Sequence, residues 1–190
     1  DVKLFKVGDR VSRASAPIGA YSEKQIVPEN KLVLVPDGVS NEVASCITLK
    51  GITAEYLLHR AYPLKKGNKI LYHAAAGGLG QILCAWANSM GAEVIGTVGS
   101  KEKEAIAKKN GCHHVINYTE KNFVEEVEKI VGKNGIDVVY DGVGLTTFEG
   151  SIEVLKIRGM MVAFGNASGY VDTIDVKKHI NAKGLFFTRP

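Results

Sequence analysis

The stretch "YHAAAGGLGQIL", residues 72–83, constrains the fold more than any other part of the chain. A glycine turn follows an apolar run at 69–75 and opens a stretch with helical spacing. Leu79, Ile82, Leu83, Trp86 and Met90 fall on one stripe, which predicts a helix over 78–90 closed by Gly91. Further apolar runs at 93–98, 114–117, 136–140, 160–164 and 185–188 alternate with helical stretches. One of these carries Phe123, Val127, Ile130 and Val131 on one side and stops at Gly132, and the next opens with Thr146-x-x-Glu149, a capping-box pattern. Runs such as "DVVY" and "MMVAF" have no polar alternation, so they read as strands covered on both faces. Strands alternating with helices imply parallel pairing through right-handed crossovers. The expected class is α/β, a doubly wound parallel sheet of six strands.

The beginning of the chain follows a different pattern. Short β-like runs at Arg10–Val11, Ala20–Val27 and Lys31–Val35 are broken by Gly8, Pro17, Gly19, Pro28 and Pro36. These predict part of an antiparallel β unit, too small to close a sheet alone. Residues 41–62 predict one or two helices, with Asn41 as a cap and Gly51 as a break or kink. The expected division is therefore 1–50 as a β-rich remnant with its linking helix, and 51–190 as the doubly wound domain.

Such sheets bind ligands at the carboxyl ends of their strands. The turn Ala75-Ala76-Gly77-Gly78-Leu79-Gly80 matches the second and third glycines of G-x-G-x-x-G, with Ala75 in the first place. Without a Cβ, Gly77 lets a pyrophosphate approach the backbone, and Gly80 lets the helix lie close to the strand. The helix N-terminus offers free amides and partial positive charge to the anion. An NAD site usually has an acid at the end of the second strand to hold the ribose 2′-hydroxyl. Here "EVIGTVGS" ends in Ser100, followed by Lys101, Glu102 and Lys103. Ser100 and Lys103 suit a 2′-phosphate, which favours NADPH over NADH. The missing acid also argues against a methyltransferase.

The 190-residue chain carries a net charge of +4 with its lysines scattered, so nucleic acid is not the expected partner. No run is long enough for a membrane helix, and "DVKLFKVGDRV" reads as strand rather than leader. Cys46, Cys84 and Cys112 lack paired spacing, as expected for free thiols in a cytoplasmic setting. The adjacent "CHH" at 112–114 cannot close one tetrahedral site, because neighbouring strand residues point to opposite faces, so no metal is expected. His73 reads as a core residue, His59 and His179 as surface residues.

Taken together, "AAAGGLGQ", "GAEVIGTVGS", "INY", "VVYDGVG", "GMMVAFGNASG" and the terminal "TRP" resemble the zinc-free quinone oxidoreductases of the medium-chain dehydrogenase/reductase superfamily, the group that includes zeta-crystallin. "VGDRV", "GAYSEK" and "LKGITAEYLL" fit the same group, so the resemblance covers essentially the whole chain. Members are longer, and the resemblance implies the end of a β-rich, GroES-like catalytic domain followed by a Rossmann cofactor domain. It implies that Ala76, Gly77, Gly78, Leu79 and Gly80 face the pyrophosphate. Ser100, Lys103 and Tyr118 would surround the 2′-phosphate. Phe164, Asn166 and Ser168 of "FGNASG" would lie near the nicotinamide ribose, Thr53 near the nicotinamide, and Gly142 and Val143 along the cleft. No catalytic residue is singled out. The function implied is NADPH-dependent hydride transfer to a quinone or related electron-poor enone, from a homodimer joined through the last strand. Alternatives are a related reductase of alkenals or enoyl thioesters, and a crystallin-like binding protein with weak RNA affinity.

Overall fold

The computed structural model describes residues 2–15 and 17–190. Two compact units divide between Thr53 and Ala54. The first contains β1 (Val11–Ser12) and β2 (Val33–Leu34), an antiparallel pair, and most of helix α1 (Asn41–Tyr56). No strand forms over 20–27, where the sequence suggested one. Helix α1 runs through Gly51 without a break; a helical glycine only weakens the segment by about 1 kcal/mol. Ser40, not Asn41, caps it: its Oγ accepts the Val43 amide at 3.2 Å, while Asn41 is helical and its Oδ1 accepts from Arg10 Nε.

The second unit holds β3 (Lys69–Tyr72), α2 (Gly78–Ser89), β4 (Glu93–Val98), α3 (Lys101–Lys109), β5 (His114–Asn117), α4 (Phe123–Val131), β6 (Ile136–Asp141), α5 (Phe148–Val154), β7 (Leu155–Ala163) and β8 (Phe186–Thr188). The strands form one parallel sheet in the order β5-β4-β3-β6-β7-β8. This is the Rossmann arrangement, and the strand order reverses between β3 and β6. Its strands are covered on both faces, as the unbroken apolar runs require. Ile70, Tyr72, Val94, Val98, Val138 and Tyr140 join Leu83, Cys84 and Ala87 of α2 in one core. Leu71, Ile95, Ile116 and Val139, their alternates along the strands, meet Val127 of α4 and Ile152 of α5 in the other.

Three local expectations need correction. β3 stops at Tyr72 rather than 75, because Ala74 takes a left-handed φ of 62° that ends the extended backbone. β7 begins at Leu155, with a register irregularity before Met160. Thr146 does not form a capping box. The residue before α5 is Thr147, whose hydroxyl donates to Asp141 Oδ2 at 2.7 Å, and Glu149, the acid of the expected box, accepts from Lys178 Nζ at 2.8 Å instead.

Candidate dinucleotide site

The first turn of α2 opens at the carboxyl end of β3, next to the point where strand order reverses. Gly77 precedes the helix with φ −68° and ψ 165°, and its amide donates to Ala74 O at 2.9 Å. The amides of Gly78, Leu79 and Gly80 lie in the turn where a helix has no internal acceptor to offer. Gly77 and Gly78 are exposed, whereas Gly80 is buried. A Cβ on Gly80 would stand 2.5 Å from Ala75 O and 2.8 Å from Ala74 O, so only glycine allows the helix this close. Gln81 completes the turn by donating its side-chain amide to Ala76 O at 3.0 Å.

Beside this turn is a cavity of about 130 Å³, lined by Ala76, Gly77, Gly99, Lys103 and Tyr118 among others. Its walls come from three strand ends. The Tyr118 ring covers Gly99 so closely that a Cβ there would sit 2.5 Å from the Tyr118 hydroxyl. Lys103 stands in the first turn of α3, where the helix dipole disfavours a cation. Ser100 precedes α3 without capping it through its side chain. Hydrogen bonds from the Ser100 hydroxyl and from its own amide hold the Glu102 carboxyl below its usual range. Ser100 is half-buried and is not among the residues lining the cavity.

A larger cavity of about 600 Å³ adjoins the first, sharing Ala74 and Tyr118 with it. Val143 and Ser168 line it, as do His73, Lys121, Phe123 and Thr147. The loops after β6 and β7 are joined along this rim. Ser168 N donates to Val143 O at 2.8 Å, Ala167 N to Gly142 O at 3.2 Å and Leu145 N to Gly169 O at 3.1 Å. The Ser168 hydroxyl accepts the Thr146 amide at 3.1 Å and donates to Val143 O at 2.9 Å, so it holds the rim together. Phe164 packs over Gly142 and stacks on Tyr72 with ring centroids 6.0 Å apart. Asn166 lines a third cavity of about 130 Å³, behind the loop. Arg189 braces the same loop by donating to Ala163 O at 3.1 Å and Gly165 O at 3.2 Å.

Thr53 belongs to the first unit, and its hydroxyl donates back to Leu49 O at 2.8 Å. The other expected residues lie at the carboxyl ends of β3 to β7. Sequence reasoning missed Lys121, an exposed cation that lines the large cavity and lies 3.5 Å from Glu126. Its signal was a lysine three residues past the tyrosine of "INY". Also missed was Asp141, a fully buried carboxylate whose signal was an acid at the carboxyl end of a buried strand. His179 is not a surface residue. It is 7% exposed, and its Nε2 lies 3.0 Å from Glu149 Oε1 while its Nδ1 accepts the Asp175 amide.

The profile of the family described as zinc-binding dehydrogenase matches residues 78–189. A 2-haloacrylate reductase from a Burkholderia species is 46% identical over 189 residues, covering 98% of this chain and 57% of its own. Quinone oxidoreductase 1 of Escherichia coli K12 is 45% identical over 190 residues, covering all of this chain and 58% of its own. The crystal structure of Escherichia coli quinone oxidoreductase complexed with NADPH superposes with a TM-score of 0.95 at 44% identity, again over 100% of this chain and 58% of that one. The chain thus spans a little over half the length of the relatives it matches.

Proposed function

The chain belongs to the zinc-binding dehydrogenase family of the medium-chain dehydrogenase/reductase superfamily, and from that membership we propose that it is the dinucleotide-binding part of an NADPH-dependent reductase of quinones or related electron-poor enones. The observation that carries this reading is the small cavity where the glycine turn, Lys103 and Tyr118 meet. A glycine surface gives a diphosphate access to backbone amides, and a cation with a phenol beside it suits one further phosphate. No acidic residue is among those lining that cavity.

When bound, NADPH supplies the hydride. The chain's own residues hold and orient it. In this reading the first-turn amides of α2, at Gly78, Leu79 and Gly80, grip the pyrophosphate, and Ala76 and Gly77 leave room for it. Lys103 and the Tyr118 hydroxyl donate to the 2′-phosphate, with Ser100 turning from Glu102 to join them. Gly142, Val143 and Phe164 wall the cleft against water, and Asn166 and Ser168 fix the loop near the nicotinamide ribose. Thr53 approaches the nicotinamide. We assign the first unit to part of a β-rich catalytic domain with its linking helix, and the second to the cofactor domain, the boundary after Thr53 lying three residues beyond the one suggested by the sequence. The protein acts in the cytoplasm as a homodimer.

The family name implies zinc, but the cysteine–histidine run at 112–114 does not fit a zinc site. Cys112 is buried against Gly96, His113 Nδ1 accepts the Val94 amide at 3.0 Å, and His114 lies 3.3 Å from Glu93. Among the described residues no group of three or more His, Cys, Asp or Glu side chains is arranged to hold a metal ion.

A second reading shifts the substrate to activated alkenes other than quinones. It is favoured by the 46% identity to a 2-haloacrylate reductase, whose named substrate is an electron-poor alkene. Both readings need the same cofactor. Titration with NADPH and NADH side by side, followed by nicotinamide fluorescence, tests that shared core. NADPH is expected to bind at least about tenfold more tightly, as one charge-assisted contact would give. Equal affinities, or a preference for NADH, would contradict it.

A further inference from the structure

A buried histidine forms part of the floor of the large cavity. His73 follows β3, is 1% exposed, and joins three other elements. Its Nδ1 lies 2.9 Å from Thr97 Oγ1 on β4, and its Nε2 lies 2.9 Å from Ser151 Oγ on α5. Its ring meets Phe123, at the head of α4, edge-on with centroids 5.0 Å apart.

Beyond Ser151 is Asp141, which organises the turn between β6 and α5. Asp141 Oδ1 accepts the amides of Val143 at 2.7 Å and Gly144 at 2.9 Å, and Oδ2 accepts the Thr147 hydroxyl at 2.7 Å. Ser151 Oγ stands 3.4 Å from that same Oδ2 and 2.7 Å from Thr147 O. The side chains of His73, Thr97, Asp141, Thr147 and Ser151 are all buried.

Counting protons fixes the arrangement. Thr147 O can only accept, so the single hydroxyl proton of Ser151 is committed to it at 2.7 Å. Ser151 then has only lone pairs to offer His73, and Nε2 must carry the proton that bridges them. Nδ1 is left bare to accept the Thr97 hydroxyl. Burial opposes a second proton on the ring, and the Asp141 charge offsets that only in part.

We propose that His73 is a positioning residue of the dinucleotide site: as the neutral Nε2–H tautomer it ties the β6–α5 turn, through Ser151 and the Asp141 cluster, to the floor of the cavity. Val143 and Thr147, which line that cavity, are thereby held in one place. The role rests on the cavity being a dinucleotide site; the tautomer does not.

Two measurements test it. The imidazole ¹⁵N spectrum of the wild-type protein at neutral pH should show a protonated Nε2 and a bare Nδ1 for His73. An Nδ1–H tautomer or an imidazolium would overturn the proposal. Titration of variants tests the role. His73→Phe keeps the ring on Phe123 but removes both hydrogen bonds, and should weaken NADPH and NADH alike by about tenfold. Ser151→Ala, a smaller change that serves if the first variant does not fold, should act in the same direction. His73→Gln, whose amide can donate to Ser151, should return affinity to within about threefold of wild type. Folded variants with lowered melting temperatures but unchanged dissociation constants would overturn it. Lys103→Ala separates the two readings, since it should change the NADPH-to-NADH ratio, which the His73 variants leave alone. A wild-type protein that binds neither dinucleotide would sink the site itself, and this role with it.

Discussion

In the proposed reading the choice of coenzyme depends on Lys103. It lies where an ammonium can reach a phosphate held between the glycine turn and Tyr118. A hydrogen bond to a charged group contributes about 1.5–3 kcal/mol, so Lys103→Ala should cut NADPH affinity by roughly 10- to 100-fold and leave NADH nearly unchanged. In the same reading Glu102 acts in the opposite sense, because its carboxyl, held below the usual range in part by the Ser100 hydroxyl, is a negative charge one residue from Lys103. Glu102→Gln should therefore tighten NADPH and not NADH in the same titration. His73 gives a pH dependence whose sign is fixed. Burial puts its folded pKa below the unfolded value of about 6.5, so the unfolded chain binds the extra proton first. Stability from this group is complete above about pH 6.5 and falls as pH drops toward the folded pKa, by at most roughly 1.4 kcal/mol per pH unit. Urea midpoints at pH 7 and pH 5.5 should separate more for wild type than for His73→Phe. At this scale the sequence was readable where a residue type had no other local use. Gly77 and Lys103 were singled out in this way, because a glycine before a helix and a cation in a first turn each need an explanation, whereas Tyr118 was named only through the family resemblance. Asp141, Ser151 and Lys121 were not: Asp141 bonds within its own turn, to Val143, Gly144 and Thr147, and a turn acid has that ordinary use, Ser151 meets His73 78 residues away, and Lys121 reads as one more surface lysine until the cavity beside it is seen.

The strand–turn–helix unit of β3 and α2 was legible because each part obeys a local rule. Apolar alternates fill both faces of the strand, glycines make the turn, and a stripe seats the helix. Its tolerance is narrow. Gly80→Ala would drive a methyl into the carbonyls of Ala74 and Ala75. It should cost about 1–3 kcal/mol in urea unfolding and weaken both dinucleotides, as the first-turn amides of α2 are displaced. Where local readings failed, a different partner had taken the group from the expected one. Thr147 gave its hydroxyl to Asp141 rather than to the helix, Ser40 rather than Asn41 capped α1, and His179 turned inward onto Glu149 and Phe148. The run over 20–27 has strand-like residues but forms no strand. Residue preference alone does not make a strand without a neighbour to pair with.

For the molecule as a whole, the alternation of strands and helices predicted the sheet and its class, while assembly rests on an edge. β8 pairs with β7 alone, and Phe186 on it is 45% exposed with the Arg158 guanidinium 5.2 Å from its ring centroid. An uncovered edge of this kind is a site for pairing, so the protein should sediment as a dimer at micromolar concentration, and Phe186→Lys should shift it toward monomer. In the proposed reading, the carboxyl ends of β3, β4 and β5 form a cradle for a dinucleotide that carries a third phosphate. A crystal structure of the protein soaked in NADPH tests this most directly. The diphosphate is expected against the amides of Gly78 to Gly80, with the 2′-phosphate between Lys103 and Tyr118. Density for the coenzyme elsewhere, or a 2′-phosphate pointing into solvent away from Lys103, would contradict it.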